Sequence, residues 1–356
     1  MVARGRTCPD GIVVGVDTHK DEHVAVAVDQ RGVHIGQHRL STTVQGYADL
    51  EGWAHRLGEV GVFGIEGTGA YGAGLTRFLL ARGYQVIEVS RPDRSTRRRL
   101  GKSDPIDAEM AARAVLAGVA QGSPKSGVDT VEMIRLLKVT KDSAMKARTQ
   151  ASNQMQAMIV TAPAGLRAEL RDLTIGQLVA HCSGWRQANM CTPTAAAKYA
   201  LRLLARRHME LSQETEALNA ELARLTAAVA PALVSSFGIG PDTAATLLVT
   251  AGSNPERLKS EAAFAALCGV SPIPAASGKT NRHRLNRGGD RQANAALHRI
   301  VIVRLRHDDR TKQYLHRRTA EGLTKTEVIR CLKRYVAREV YTILQDPDRC
   351  IVTDQP

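Results

Sequence analysis

The chain has 356 residues, with 49 Lys and Arg against 35 Asp and Glu, so its formal net charge is +14. This excess points to a polyanionic partner such as nucleic acid, with a solvated basic surface as the alternative; only 4% of residues are aromatic, which argues against base stacking as the main mode of binding. No apolar run approaches the roughly 18 residues of a membrane span, and no signal-peptide core follows the first residues. The cysteines form no CxxC pair. We therefore expect a cytoplasmic protein with free thiols and no membrane partner.

The first third of the chain predicts a mixed sheet. Residues 12–17, 23–29 and 33–39 have the apolar pattern of short strands, with turn residues between them. A helix over 43–57, a strand over 61–66, a helix over 69–81 and a strand over 84–90 follow, and an Ala-rich helix runs from Asp104 to about Leu116. Three strands followed by alternating helices and strands predict an α/β domain over residues 1–120, in the layout of an RNase H-like (RuvC-type) nuclease.

Four acidic residues stand at the ends of these elements. Asp17 ends the first strand, Glu66 ends the fourth, and Asp104 and Asp107 open the Ala-rich helix. Carboxylates that converge on one point raise one another's pKa unless a cation neutralises them, so the pattern predicts a two-metal site for phosphodiester chemistry. The alternative is that each acid is a solvated loop residue or a helix cap.

A long helical connector is predicted over residues 128–230, after a Gly- and Ser-rich linker over 118–128. Its first helix carries an apolar stripe at Met133, Leu137, Ala144, Ala151 and Met158. Its second helix repeats leucine every seven residues, at Leu204, Leu211, Leu218 and Leu225, with Leu222 and Val229 beside them. This periodicity favours an antiparallel hairpin or a dimerising coiled coil over two helices packed inside one bundle.

Residues 231–356 predict a mostly helical domain that binds phosphates. The turn with Gly238 and Gly240 opens an apolar helix and resembles a helix-hairpin-helix, whose backbone N–H groups can hold a phosphate; a plain inter-helix turn is the alternative. A loop further on is rich in cations: Lys279, Arg282, Arg284, Arg287 and Arg291. Ser277 borders this loop and is the best candidate nucleophile, because nearby cations can hold a phosphate for in-line attack; Ser271 and Ser253 are alternatives.

A second basic segment leads directly into Asp104. Its cations, which we expect to contact a nucleic-acid backbone beside the acidic site, are Arg94, Arg97, Arg98, Arg99 and Lys102. The alternative for this segment is a solvated helix face.

Taken together, the motifs resemble the DEDD-type insertion-sequence transposases, the "one-ten" insertion-sequence family of bridge-RNA-guided recombinases. In the first third, the resemblance is carried by Val-Gly-Val-Asp-Thr-His-Lys at residues 14–20, Ile-Glu-Gly-Thr-Gly-Ala-Tyr at 65–71 and Lys-Ser-Asp-Pro-Ile-Asp-Ala at 102–108. In the last third it is carried by residues 237–240, 269–272, 276–279, 284–291 and 330–335. The order and spacing of these motifs cover almost the whole chain.

The resemblance implies a RuvC-type domain in which Asp17, Glu66, Asp104 and Asp107 bind Mg²⁺, for which Mn²⁺ can substitute, and a C-terminal transposase domain in which Ser277 is the nucleophile. It also implies a structured noncoding guide (bridge) RNA that pairs with donor and target double-stranded DNA, so that the protein itself reads little sequence. Such a bacterial protein would be nucleoid-associated when bound to DNA. Because the acids and the serine lie in different domains, we expect a homo-oligomer, dimer or tetramer, in which one site combines two protomers.

Two other functions stay open at this point. A hydrolytic nuclease of the Holliday-junction-resolvase type needs only the four acids, with water as the nucleophile, and would tolerate loss of Ser277. An architectural nucleic-acid-binding protein would need none of the acids, and the presence of all four argues against it.

Overall fold

The computed structural model describes residues 10–89, 103–186, 190–254, 257–277 and 283–345. The chain forms two compact units. The first is built from the described residues up to Asp129 together with those of Ala251–Lys259, and the second from those of Thr130–Thr250 together with the described residues from Ser260 onward. The boundaries predicted at residues 120, 128 and 230 stay a prediction.

The first unit contains a five-stranded mixed sheet. Its strands are β1 (Ile12–Thr18), β2 (Glu22–Val28), β3 (His34–Ser41), β4 (Val60–Glu66) and β5 (Val86–Val89), in the order β3-β2-β1-β4-β5. The first three strands pair antiparallel, whereas β4 runs parallel to both β1 and β5. The mixed α/β sheet predicted for this part of the chain is thus confirmed.

Helices cover both faces of the sheet. Helices α1 (Val44–Leu57) and α2 (Ala73–Ala81) pack on the face that carries Val14, Val16, Phe63 and Ile65. Helix α3 (Asp104–Leu116) packs on the opposite face, against side chains from alternate positions of the same strands, namely Val13, Val24, Val26, Val28 and Val62. Because both faces are buried, the central strands are apolar at nearly every position.

Helix α2 begins later than predicted, at Ala73 rather than near Gly69. The N–H groups of Ala70 and Gly72 both donate to the carbonyl of Gly67, which forms a tight turn after β4. The glycines of this segment therefore form the turn and not the first turn of the helix.

The segment predicted as a linker, residues 118–128, is instead part of the first unit. The N–H of Glu88 in β5 donates to the carbonyl of Gly122 at 2.7 Å. Arg257 donates to the carbonyl of Ser123 (Nε to O 3.1 Å), and the amide of Asn254 donates to that of Pro124 (3.1 Å). A Gly- and Ser-rich composition suggested a free connector, but these hydrogen bonds fix the segment between β5 and the chain around residue 255.

The second unit begins with two long helices, α4 (Thr130–Thr161) and α7 (Pro193–Val229), with the short helices α5 (Ala164–Leu170) and α6 (Ile175–Ser183) between them. The last turns of α4 meet the first turns of α7 in one apolar cluster, where Met155 and Ile159 pack near Leu201 and Ala205. Within one chain the two helices thus pair as a hairpin; pairing between chains as a coiled coil stays a prediction.

The buried stripes of these two helices differ from the predicted ones. Met133 is exposed and Leu137 half-buried, whereas Ile134, Lys138 and Lys141 are buried. In α7, Leu204, Leu211 and Leu218 are half-buried, and Leu225 is buried with Leu222 and Val229. The two lysines were overlooked because a charged side chain is rarely buried unless it is paired.

The rest of the second unit is mostly helical, as predicted. It comprises α8 (Pro231–Ser235), α9 (Pro241–Ala251), α10 (Glu261–Leu267), α11 (Arg291–His307), α12 (Asp309–Ala320) and α13 (Lys325–Leu344), with Ala251 itself in the first unit. Two short strands, β6 (Ile273–Pro274) and β7 (His283–Arg284), pair antiparallel. Among the described helices, none has both the length and the apolar character needed to cross a bilayer.

Candidate functional site

The predicted acids of β1 and β4 lie at one edge of the sheet. The two strands are parallel neighbours, so Asp17 and Glu66 both stand at carboxyl ends that meet there. The hydroxyl of Thr18 donates to the backbone carbonyl of Glu66 at 2.8 Å, which ties the two strand ends together.

Close contact between α3 and the sheet places the other two acids. A Cβ added to Gly15 in β1 would lie 2.0 Å from the carbonyl oxygen of Ala108, and one added to Gly64 would lie 2.7 Å from the side chain of Val115. Only glycine on the strands and small residues on the helix permit this approach. The first turn of α3, which carries Asp104 and Asp107, is thereby held against the end of β1.

Electrostatics shows that the four acids interact. Burial raises the pKa of Asp17, and the carboxylates of Glu66, Asp107 and Asp104 raise it further, while His19 lowers it. Asp107 is only 6% exposed, and among the described residues no hydrogen-bond partner reaches its Oδ1. A buried carboxylate oxygen without a donor, beside three other carboxylates, is suited to bind a cation.

Sequence reasoning missed one member of this cluster, His19. Its Nε2 lies 3.2 Å from Asp17 Oδ2 and 3.4 Å from Asp104 Oδ1. Asp17, His19 and Asp104 each offer one ligand atom within 4.8 Å of the others, which makes them a candidate divalent-metal site with two oxygens and one nitrogen. The backbone N–H of His19 donates to Nδ1 of the buried His23 (3.2 Å), which fixes the turn. The sequence feature that could have identified His19 as a ligand is its position two residues after an acid at the end of a strand.

The three candidate serines differ in their surroundings. Ser277 is exposed and lies three residues after β6, whereas Ser271 is half-buried. Ser253 belongs to the first unit, is buried, and its hydroxyl is 2.8 Å from that of Ser126. Ser277 is thus the most accessible of the three.

Some of the predicted nucleic-acid-binding residues lie outside the described part of the chain: Arg94, Arg97, Arg98, Arg99, Lys102, Lys279 and Arg282. Among the described ones, Gly238 has φ +83° and packs near the side chain of Arg304, whose Nε donates to the carbonyl of Phe237 at 2.9 Å. Gly240 has open space on its Cβ side. The remaining three are exposed: Arg284, Arg287 and Arg291.

Comparison with known proteins assigns both units of the chain to one group. Residues 14–162 match the DEDD-type IS110 domain, described as a transposase, and residues 230–316 match the model described as "Transposase IS116/IS110/IS902 family". The chain is also 30% identical over 137 residues to the "Insertion element IS110 uncharacterized 43.6 kDa protein" of Streptomyces coelicolor. That match spans 38% of this chain and 34% of the relative.

The two matched segments contain the acidic cluster and the region around Ser277 respectively, in the order that the sequence motifs predicted. The chain belongs to the IS110 family of DEDD-type transposases.

Proposed function

We propose that this protein is the transposase of an insertion sequence, which cuts and exchanges DNA strands through a covalent serine intermediate. The observation that carries the proposal is the convergence of Asp17, Glu66, Asp104 and Asp107 at one sheet edge, with a buried Asp107 oxygen that has no partner among the described residues. A carboxyl group whose ionisation is disfavoured by burial and by neighbouring carboxylates, as at Asp17, is typical of a metal-dependent phosphodiester centre.

The strand order supports an RNase H-like (RuvC-type) interpretation of the first unit. In this proposal the three antiparallel strands and the two parallel ones form the scaffold, and α3 supplies the last two acids. The second unit then comprises the coiled-coil connector and the C-terminal transposase domain.

The residues of the cluster fit a divalent metal of the Mg²⁺ type. Asp17, Asp104 and the Nε2 of His19 would hold it, with Glu66 and Asp107 as the neighbouring carboxylates, and oxygen ligands are those that Mg²⁺ prefers. When bound, such a metal supplies Lewis-acid stabilisation of charge on the phosphate oxygens.

Ser277 is the proposed nucleophile of the second unit. Its Oγ attacks a DNA phosphorus, so that a P–Oγ bond forms and the P–O bond to a deoxyribose breaks. The serine proton passes to water, and the leaving sugar oxygen takes up a proton from water. The reverse attack by the sugar hydroxyl of another strand restores the serine, and because one phosphodiester replaces another, no external energy is needed.

The partners follow from the same proposal. A bridge RNA encoded by the element would pair with donor and target DNA, and the protein would bind the backbones of both nucleic acids. Its net charge of +14 suits such polyanions, and a homo-oligomer would bring the serine of one copy to the acids of another.

The first experiment is a denaturing gel of labelled donor and target DNA after incubation with the protein, its element-derived RNA and Mg²⁺. We expect a protein–DNA adduct with the wild type and with Ser271→Ala, the matched control at a nearby serine. We expect none with Ser277→Ala, which lacks the nucleophile, or with Asp104→Asn, which weakens the metal site.

The gel separates the alternatives. An adduct that persists in Ser277→Ala rejects this serine as the nucleophile. Cleaved DNA without an adduct in any lane, still dependent on Asp104, replaces strand transfer by metal-dependent hydrolysis of the resolvase type. Adduct formation by Asp104→Asn at the wild-type level rejects the metal centre.

A further inference from the structure

A cavity of about 610 Å³ lies in the C-terminal part of the second unit, and the charged side chains of its described lining are all positive. Its described lining includes four cations and one histidine but no carboxylate: Arg287, Arg291, His298, Arg330 and Lys333. The other lining residues are amides, glycines and small or apolar side chains, with no aromatic ring to stack on a base. Arg287 and Arg291 were predicted from the sequence to bind nucleic acid, whereas the other three were not.

Two helix faces form the walls of this cavity. Helix α11 contributes the residues at 291, 294, 295 and 298, and α13 contributes those at 326, 329, 330 and 333. Both sets follow the spacing of one helix face, so the walls are continuous surfaces of two regular elements. The loop over 285–289 supplies the rest of the lining with Gly269.

Hydrogen bonds hold the cavity in shape. Asn294 accepts from Lys333 Nζ (2.8 Å) and donates to the carbonyls of Cys268 and Gly269 (3.0 and 3.1 Å). The amide of Asn286 donates to the carbonyl of Ala266 at 3.1 Å, which fixes the basic loop on the end of α10. Lys333 is thus held in place by Asn294, and the loop that carries Arg287 is attached to the end of α10.

Such a cluster is unfavourable without an anion. Burial lowers the pKa of Lys333, and the neighbouring Arg330 lowers it further. Asp290, at the start of α11, accepts hydrogen bonds from the N–H groups of Gln292 and Ala293 and from the hydroxyl of Thr250, so its carboxylate serves as the helix cap. Converging cations held in place beside backbone glycines are the arrangement that recognises phosphate.

We propose that this cavity binds a phosphodiester group of a nucleic-acid strand, with Arg287, Arg291, Arg330 and Lys333 as the cations that contact its oxygens. Asn294 is a positioning residue, because it holds Lys333 against the chain at Cys268 and Gly269. The proposal rests on the proposed function, since it names a place where the nucleic acid of that reaction contacts the second unit. Recognition through phosphate does not depend on base sequence.

The test measures binding without chemistry. Fluorescence anisotropy would follow labelled single-stranded DNA, double-stranded DNA and RNA of one sequence, titrated with the full chain carrying Ser277→Ala in EDTA at several salt concentrations. The cavity variants are Arg291→Gln, Arg330→Gln and Lys333→Gln. Arg306→Gln is the matched control, because Arg306 is an exposed cation on α11 outside the cavity lining.

We expect each cavity variant to weaken binding of at least one polymer by about tenfold. The slope of log affinity against log salt concentration should fall by about one, which corresponds to one fewer ion released on binding. The control should change the affinity by less than about twofold. The polymer that responds identifies whether the cavity takes DNA or RNA. Arg291 and Arg330 are exposed, so their substitution leaves the fold intact, and circular dichroism checks the half-buried Lys333.

Two results overturn the proposal. If the Arg291 and Arg330 variants bind all three polymers as the Arg306 variant does, the cavity is not a phosphate site. If the full chain that carries Ser277→Ala and no cavity substitution binds none of the three polymers, the proposal fails as well. Either result leaves the proposed function to be judged separately, by the adduct gel.

Discussion

The carboxylates around Asp17 repel one another in the metal-free protein. Asp17→Asn keeps the shape of the side chain but removes the carboxyl group whose pKa is raised by burial and by the neighbouring carboxylates. We therefore expect this variant, in EDTA, to have a free energy of unfolding higher by on the order of 1 kcal/mol, because functional sites often sacrifice stability. Added Mg²⁺ or Mn²⁺ should stabilise the wild type much more than the variant.

Glu109, on the neighbouring helix α3, provides the matched control. His34 lowers the pKa of the Glu109 carboxyl through a hydrogen bond, with Arg113 also contributing, although burial opposes them. Glu109→Gln should therefore lower stability slightly and leave the response to metal unchanged. Thermal unfolding of the three proteins with and without metal measures both effects. If Asp17→Asn were less stable than the wild type in EDTA, the carboxylates around Asp17 would not repel one another as expected.

Among the secondary-structure elements, the contact of α3 with β1 decides whether the site assembles. Gly15→Ala would place a methyl group 2.0 Å from the carbonyl oxygen of Ala108 and 2.4 Å from the N–H nitrogen of Ala112, and backbone atoms cannot yield locally. We expect a loss of about 3 kcal/mol in the free energy of unfolding, measured by urea denaturation, together with loss of metal binding as Asp104 and Asp107 move.

Gly69 is the control for this substitution, because no atom lies within 4 Å of a Cβ built there. Gly69→Ala should change stability by less than about 0.5 kcal/mol. Equal urea midpoints for the two variants would show that α3 shifts without cost, and the close contact would then not position the acids.

The same elements show what the sequence could and could not predict. Apolar runs that end in acids were sufficient to place Asp17 and Glu66, because parallel strands bring their carboxyl ends together. His19 was missed because a turn residue carries no periodic signal. His298, Arg330 and Lys333 were missed because they face the basic loop only after α11 and α13 pack together, a contact between residues far apart in the chain.

Across the second unit as a whole, one buried ionic network connects three segments. Asp242 in α9 pairs with Lys138 (3.3 Å) and Lys141 of α4 and with Arg299 of α11 (2.9 Å). Lys138 and Lys141 are only 8% and 5% exposed. The carboxylate of Asp242 pairs with the ammonium group of Lys141 and shares that of Lys138 with Asp142 of α4. Sequence periodicity could not predict this, because the pattern treats lysine as a surface residue.

This network makes the stability of the second unit depend on acid pH. Burial alone would raise the pKa of Asp242, but the hydrogen bond from Lys141 and the charges of both lysines outweigh it and lower the pKa to about 2. Because the folded-state pKa lies below the ordinary value of 3.8, the stabilisation is complete above about pH 4 and is lost as pH falls toward about 2. The amount lost is on the order of 2 kcal/mol.

Asp242→Asn removes the carboxylate that pairs with the buried Lys141, whereas Lys138 keeps its second partner, the carboxylate of Asp142. We expect the variant to lose about 3 kcal/mol at pH 6, and its difference from the wild type to shrink between pH 4 and about 2, where the wild-type carboxyl is itself protonated. Asp309→Asn is the control, because that side chain is 85% exposed and, among the described residues, pairs only with Lys312 of its own helix. Urea denaturation across this pH range gives the answer: a difference that stays constant with pH would mean that the lysines are stabilised by other groups and that Asp242 does not hold the three helices together.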